Sequence, residues 1–499
     1  MTLTVPGEYK ENIKKTPNWY TSGMDFAESV DLAVVGGGLL GTGIARDAAQ
    51  RGLSVALFEA EDFGAGAVSR GSRLALGGLS ALGTLDFTRV REDIKERETL
   101  LQTAPHLVRP QACLVPFYSH GLLAQARLRA GLALSDALGF DQALRVHQLL
   151  SAKAAQKRAP SLSPSGLLGA ALVWEAAVPS VERLARELAQ DARRQGAVLH
   201  PHTPVEALCR EPGRAGRERV GGVIWKNALS GETGQTQAAL VILAAGSRSS
   251  SLLGKQVPPP RLRRTVSVTG SPLAGQGDAL VFPQEDAPTL LLAVPHENSG
   301  WLGSVAEDYH EGDAAYATGT EVAALLQAMQ AYLPGFTLAD VRRAEASLHA
   351  EAVAGREVED AGANGGRLDG LLLVSGAELT RFRQSAEEAV DLACRKLGRA
   401  LSVPPCRTAT TPLPPPPAFP AQSLPEQAAF AVSEEECLTL RDFLERRVPQ
   451  DWTDTRRQAE MPAALEALAA QLGWDTARQA AEVKAWEAET ALGQAFRVL

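Results

Sequence analysis

Gly36, Gly38 and Gly41 stand in the spacing GxGxxG, and Glu59 follows 18 residues after the last of them. Glycines so placed serve a diphosphate. The first permits a tight turn, the second lets backbone approach the charged group, and the third lets helix and strand pack closely. A helix starting at that turn offers unpaired N–H groups and the positive end of its dipole. A carboxylate at Glu59 accepts hydrogen bonds from ribose hydroxyls. The chemistry served is dinucleotide binding. Glu59 repels a 2′-phosphate and no basic residue follows it directly, which favours FAD or NAD over NADP.

The elements that must place these residues lie on either side. Leu32 to Val35 is an apolar run, as expected of a strand buried on both faces. Ile44, Ala45, Ala48 and Ala49 follow at helical spacing, with Gly52 as the stop. Leu53 to Phe58 reads as a second buried strand. Residues 62–83 are rich in Gly and Ser, and wrap a flat cofactor with backbone donors and hydroxyls. Val181 to Gly196 reads as a helix. The turn NALSGETG lies between two strand-like runs as a hairpin. AALVILAAG, 238–246, is a further buried strand ending at Gly246. Residues 371–398 repeat strand, glycine turn and long helix, with Gly376 at a second helix start.

These segments predict an α/β fold whose Rossmann-like nucleotide domain is assembled from about 31–110, 170–250 and 365–400. An inserted domain falls within 261–350, with strands near 265–269, 290–294 and 301–305 and a helix over 320–333. Residues 1–30 read as a polar arm carrying Lys14 and Lys15, 411–425 as a proline-rich linker, and 426–499 as a helical domain. Phe87 to Leu107 is a charged helix whose i,i+4 pairs predict an exposed face, with His106 at its end as a capping or packing residue. A helical pattern over 121–159 carries Arg127, Arg129, Arg145, Lys153, Lys157 and Arg158. His200 and His202 alternate as on one face of a strand, without a further ligand at metal spacing.

The totals bound the function. A chain of 499 residues holds two or three domains, and 45% hydrophobic residues supply a core. A net charge of -8 leaves no basic excess to neutralise phosphates, which excludes a nucleic-acid binder. Five scattered cysteines without a CxxC pair argue against a metal site or a disulfide framework and fit a reducing cytoplasm. No apolar run reaches the roughly 20 residues of a membrane span.

Three stretches resemble the FAD-dependent glycerol-3-phosphate dehydrogenases: VVGGGLLGTGIARDAAQRGLSVALFEAEDFGAG, SRGSRLALGGLSALGTLDFTRVREDIKERETLLQTAPHLVRP and LTRFRQSAEEAVD. The tail DFLERRVPQDWTDTRRQAEMPAALEALAAQLGWD is similar to that family's C-terminal domain. The resemblance implies an FAD domain, an antiparallel β substrate domain and a C-terminal helical domain. It implies hydride transfer from sn-glycerol 3-phosphate to FAD, giving dihydroxyacetone phosphate, with electrons passed to membrane quinone. Further expectations are a cytoplasmic protein peripheral on the inner face of the membrane, and a homodimer. Positions suited to FAD are Gly36, Gly38, Gly41, Glu59, Ser69, Arg70, Ser72, Gly246 and Gly376.

The substrate positions depart from the family pattern. Where relatives read K-L-I-H-G-G-L-R-Y-L this chain reads RLALGGLSAL, so Leu76 takes the histidine position and Ser80 and Ala81 those of arginine and tyrosine. His349 replaces a phosphate-binding arginine, Glu378 replaces a lysine, and Arg356 is the arginine that persists. Arg356 and His349 are therefore the substrate candidates, and the catalytic base is unassigned. Two arginines and a lysine contribute about 4–9 kcal/mol of charge-assisted hydrogen bonding. Their replacement leaves two other readings open: a flavin oxidoreductase for a less anionic hydroxy or amino substrate, and a non-catalytic FAD-binding paralogue.

Overall fold

The computed structural model describes residues 26–77, 79, 87–118, 132, 144, 146–213, 216–254, 260–275, 277–284, 290–296, 298–309, 316–352, 356–363, 368–376, 378–416, 423–448 and 454–497. Residues 1–25 of the expected N-terminal arm, Arg127, Arg129, Arg145, Ser80 and Ala81 lie outside these residues, and the arm expected over 1–30 stops short of 30 because Ser29 and Val30 already belong to the first strand. Among the described residues, two nine-stranded sheets organise the larger of two compact units, Ala27–Pro414 with Ala495–Leu499.

The first sheet runs in the order Val358–Asp360, Leu371–Val374, Thr233–Leu243, Ser29–Val35 (β1), Val55–Phe58 (β2) and Val198–His200. From Leu371–Val374 to Val198–His200 every pair is parallel. Parallel neighbours need crossovers, and these place helices over the sheet, so its strands are buried on both faces. That explains the unbroken apolar run: Leu32, Ala33 and Val34 are fully buried. Among the described residues of this unit the helices longer than five residues are, in chain order, α1 (Leu39–Gln50), α2 (Phe87–Thr103), α3 (Ala152–Arg158), α4 (Val181–Arg194), α5 (Gly319–Gln330) and α6 (Phe382–Lys396). One core joins Leu32 and Leu57 of the sheet to Ile44 of α1, Ala192 of α4 and Ala389 of α6. Glu218–Lys226 pairs antiparallel with Thr233–Leu243 as the expected hairpin.

The second sheet runs Val341–Ala350, Leu262–Gly270, Ser299–Asp308, Leu290–His296, Ala279–Pro283, Arg109–Tyr118, Leu167–Ala177 and Leu74–Ala75, with Gln148–Ser151 also on Leu167–Ala177. Its pairs are antiparallel, except that Ala279–Pro283 lies parallel to Arg109–Tyr118. The helical pattern expected over 121–159 is corrected where it is described. Leu132 and Ala152–Arg158 are helical, while Gln148–Ser151 is an edge strand, because sheet pairing overrides local propensity there. Lys153 and Lys157 are exposed, and Arg158 pairs with Asp278 at 2.5 Å.

The smaller unit, Pro415–Gln494, is helical: α7 (Leu424–Glu435), α8 (Asp454–Leu472) and α9 (Thr476–Leu492). A capping box, Ser423 with Glu426, starts α7, and Asp475 caps α9 by accepting from Arg478 N at 2.7 Å. Phe496, beyond this unit, is buried in the core of the second sheet.

Candidate active site

The turn after β1 has the shape its glycines dictate. Gly36 has φ +106°, and a Cβ there falls 2.5 Å from Ala244 O. A Cβ on Gly41 falls 1.8 Å from Gly36 O, so α1 packs directly on the turn. Gly38 differs: a Cβ there meets nothing within 4 Å. It is the N-cap of α1 and supplies no side-chain acceptor, so the first-turn N–H groups stay available beside open space. Glu59, at the end of β2, accepts from Gly37 N at 2.5 Å and Glu61 N at 2.8 Å. Burial pushes its carboxyl up, against the pull of those N–H groups, and each oxygen keeps a lone pair for a ligand. Gly246 has φ +55° and, like Gly38, faces open space.

This turn opens into a cleft of about 1620 Å³ lined from both sheets. Gly36, Gly38, Glu59, Arg70, Ser72, Gly246, Gly376, His349 and Arg356 all line it, as do Leu76 and Glu378. Gly41 stands behind the wall. Ser69 is not in the wall, and its hydroxyl donates to Gly66 O at 2.7 Å. Opposite the nucleotide turn the second sheet presents Thr265, Ser267, Leu292 and Trp301. Ser347 and Ser267 donate to Ala67 O and Arg70 O at 3.1 and 3.5 Å, which ties the second sheet to the Gly- and Ser-rich segment.

Charge in the cleft is mostly paired. Arg264 holds Glu321 at 2.7 Å, Arg263 holds Asp308 at 3.1 Å, and Arg248 holds Glu61 at 2.8 Å. Glu378, in the lysine position, is paired with Arg89 at 2.9 Å, so its repulsion of an anion is offset locally. The Arg356 guanidinium lines the cleft on an exposed residue and has no hydrogen bond or ion pair to a described side chain. His349 bonds Thr265 Oγ1 through Nε2 at 2.9 Å. Burial holds its imidazole below the usual histidine range, so it is neutral near pH 7 and does not stand in for the arginine as a cation.

Helix α2 corrects the expectation of an exposed charged face. Its Asp93, Glu96 and Arg97 are buried and reach partners far along the chain. Arg381 meets Asp93 at 3.2 Å, Arg383 meets Glu96 at 2.7 Å, and Arg97 meets Glu175 at 3.0 Å. Burial pushes the Asp93 carboxyl up to about 6 despite Arg381. Two histidine expectations also resolve. His106 pairs with Glu187 at 2.7 Å. The strand ends at His200, which stacks on Phe58 and is driven by burial down to about 3, while His202 turns away at φ +50°. The two therefore do not share a strand face. Among the described residues no cluster of His, Cys, Asp and Glu suits a metal, all five cysteines are free, and no helix is long and apolar enough to cross a membrane.

A parallel sheet with this glycine turn, facing a second sheet across one cleft, defines a dinucleotide-dependent oxidoreductase. A profile of FAD dependent oxidoreductases matches residues 31–392. A glycerol-3-phosphate dehydrogenase of Synechocystis sp. is 32% identical over 423 residues, 78% of this chain and 74% of that one. An aerobic glycerol-3-phosphate dehydrogenase of Staphylococcus saprophyticus is 28% identical over 388 residues, 74% of this chain and 68% of that one. The chain belongs to the FAD-dependent oxidoreductase family, on the branch of the glycerol-3-phosphate dehydrogenases. The fold agrees. The glycerol-3-phosphate dehydrogenase from Bacillus halodurans complexed with FAD aligns at TM-score 0.71 and 22% identity over 97% of both chains. Glycine oxidase from Geobacillus kaustophilus aligns at 0.58 and 17% identity, over 79% of this chain and 100% of that one. FAD is the cofactor, and the residues present fit it: open backbone at Gly38 and α1 for a diphosphate, and Glu59 for a ribose.

Proposed function

We propose that this chain oxidises the secondary hydroxyl of sn-glycerol 3-phosphate, giving dihydroxyacetone phosphate and passing electrons on to membrane quinone. The observation that carries the reading is Arg356, a guanidinium in the cleft that no described residue neutralises. A guanidinium that lines the cleft without a counter-charge is placed to take an anionic substrate group in a charge-assisted hydrogen bond. Relatives of that name over three quarters of the chain support the choice of substrate.

FAD held in this cleft would supply the hydride acceptor; binding, orientation and proton removal fall to the chain. Arg356 holds the phosphate. Thr265 gives its hydroxyl proton to Ser347 O at 3.4 Å, so its oxygen accepts from His349 Nε2. That assignment, made from the hydrogen-bond network, leaves Nδ1 as the basic nitrogen. His349 is the imidazole among the described lining residues and takes the hydroxyl proton.

The direct test is anaerobic mixing of the holoprotein with sn-glycerol 3-phosphate, read as loss of the visible flavin band. Bleaching by an uncharged polyol or an amino acid instead points to the less anionic substrate, consistent with the pairing of Arg263 and Arg264. Bleaching by none of these overturns an oxidative role. Arg356→Ala lowers kcat/KM for the phosphorylated substrate about 10- to 100-fold, the worth of one charge-assisted contact, and leaves FAD bound. Because burial lowers the His349 pKa, the acid limb of the kcat/KM profile falls below the ordinary histidine value of about 6.5. A limb unchanged in His349→Gln removes His349 from the proton step.

A further inference from the structure

One peptide unit in the cleft wall is held at both ends. Leu76 lines the cleft, and its carbonyl accepts from Thr380 Oγ1 at 3.1 Å. The N–H of the same peptide, on Gly77, donates to Glu175 Oε2 at 2.7 Å. Glu175 is only 2% exposed, and the same oxygen accepts from Arg97 Nη1 at 3.0 Å. Arg97, 6% exposed, also donates from that nitrogen to Trp174 O at 3.0 Å. The guanidinium packs on the backbone at residue 77, where a Cβ would fall 2.9 Å from Arg97 Nη1. Three elements far apart in the chain thus converge on one amide: α2 with Arg97, the second sheet with Glu175, and the turn before α6 with Thr380.

A buried ion pair is a poor way to gain stability, because desolvation cancels most of its attraction. Its other use is to fix one arrangement against alternatives. An amide rotated by half a turn here would present its N–H to Thr380 and its carbonyl to Glu175, two oxygens facing each other. The carboxylate opposes that rotation, and the hydroxyl holds the present carbonyl by donating to it. Leu76 and Thr380 both line the cleft that fits FAD, so the amide dipole beside them is part of the cofactor's fixed electrostatic surroundings.

We propose that Arg97, Glu175 and Thr380 are positioning residues that lock the Leu76–Gly77 amide in one orientation, and that this orientation sets how differently the chain binds oxidised and reduced FAD. The proposal rests on FAD occupying this cleft and is independent of the substrate assigned above.

The test uses the holoprotein without substrate. Thr380→Val keeps the shape of the side chain and removes the hydroxyl that holds the carbonyl. FAD stays bound, the visible band changes shape, and the reduction potential moves. A tenfold change in the ratio of affinities for the two redox forms reads as about 30 mV for a two-electron couple, and a shift of that order is expected. Thr380→Ser restores the wild-type potential. Arg97→Met with Glu175→Leu removes both charges together, avoids a lone buried ion, and frees the other end of the same amide. Its potential moves in the same direction as that of Thr380→Val. A wild-type spectrum and potential in Thr380→Val overturns the proposal, and so does a shift that Thr380→Ser fails to reverse. If the double variant does not fold, the valine and serine variants still decide. Failure of glycerol 3-phosphate to bleach the flavin leaves every one of these readings intact.

Discussion

Gly41→Ala costs at least about 3 kcal/mol of folding stability, the upper end of the overpacking range. The added methyl lands 1.8 Å from Gly36 O and 3.0 Å from Gly36 C, both backbone atoms. No rotamer change relieves such a contact. Either α1 slides along β1 or the turn opens, and both disturb the core shared by Leu32, Ile44 and Ile242. Urea unfolding of the apoprotein reads the effect as a lower midpoint with an unchanged slope. An unaltered midpoint shows that the helix does not pack on the turn as described.

Gly38→Ala, three residues away, has the opposite signature. The Cβ meets no protein atom within 4 Å, and φ -68° with ψ -177° is extended backbone open to alanine. Alanine is a weaker N-cap than glycine, so folding loses no more than about 1 kcal/mol. The space it fills is the space a diphosphate needs. FAD affinity falls about 10- to 100-fold, the loss of one hydrogen bond to a charged group. Titration of apoprotein with FAD, followed by quenching of flavin fluorescence, measures it. Equal affinity for the two proteins moves the diphosphate away from this turn. The pair of variants separates the two duties of the motif, one read by unfolding and the other by binding.

The nucleotide half was legible because its signals are local. Within the 31 residues from Ser29 to Glu59, β1, the glycines, α1, β2 and Glu59 occur in order, and each fixes the next by period or by φ. Of the second sheet, Gln148–Ser151 read as helix, while the strands near 265–269, 290–294 and 301–305 were legible. The parallel contact of Ala279–Pro283 with Arg109–Tyr118 was not, because no short-range pattern encodes which distant strand is a neighbour. Charge was the least legible property. The face of α2 reads as solvated because Arg and Glu alternate at i,i+4, yet Arg97 and Glu96 find partners 78 and 287 residues away. Glu378 reads as a repulsive substitution, and its pairing with Arg89 depends on the same long reach. His200 and His202 misled for a simpler reason. Alternation implies one face only while the strand continues, and it stops between them.

The parallel sheet has a consequence for synthesis. Its central strand Ser29–Val35 is flanked by Val55–Phe58 and by Thr233–Leu243, which in turn awaits Leu371–Val374. A ribosome must therefore release about two hundred further residues before the free edge of Ser29–Val35 is covered, and more than three hundred before Leu371–Val374 covers the edge of Thr233–Leu243 in turn. Until then an apolar ribbon stands open to other nascent chains, and flavin has no finished pocket through which to favour the native form. Yield in cells should respond to translation speed and chaperone supply before it responds to flavin supply, and amino-terminal fragments ending ahead of Leu371 should be recovered as aggregates.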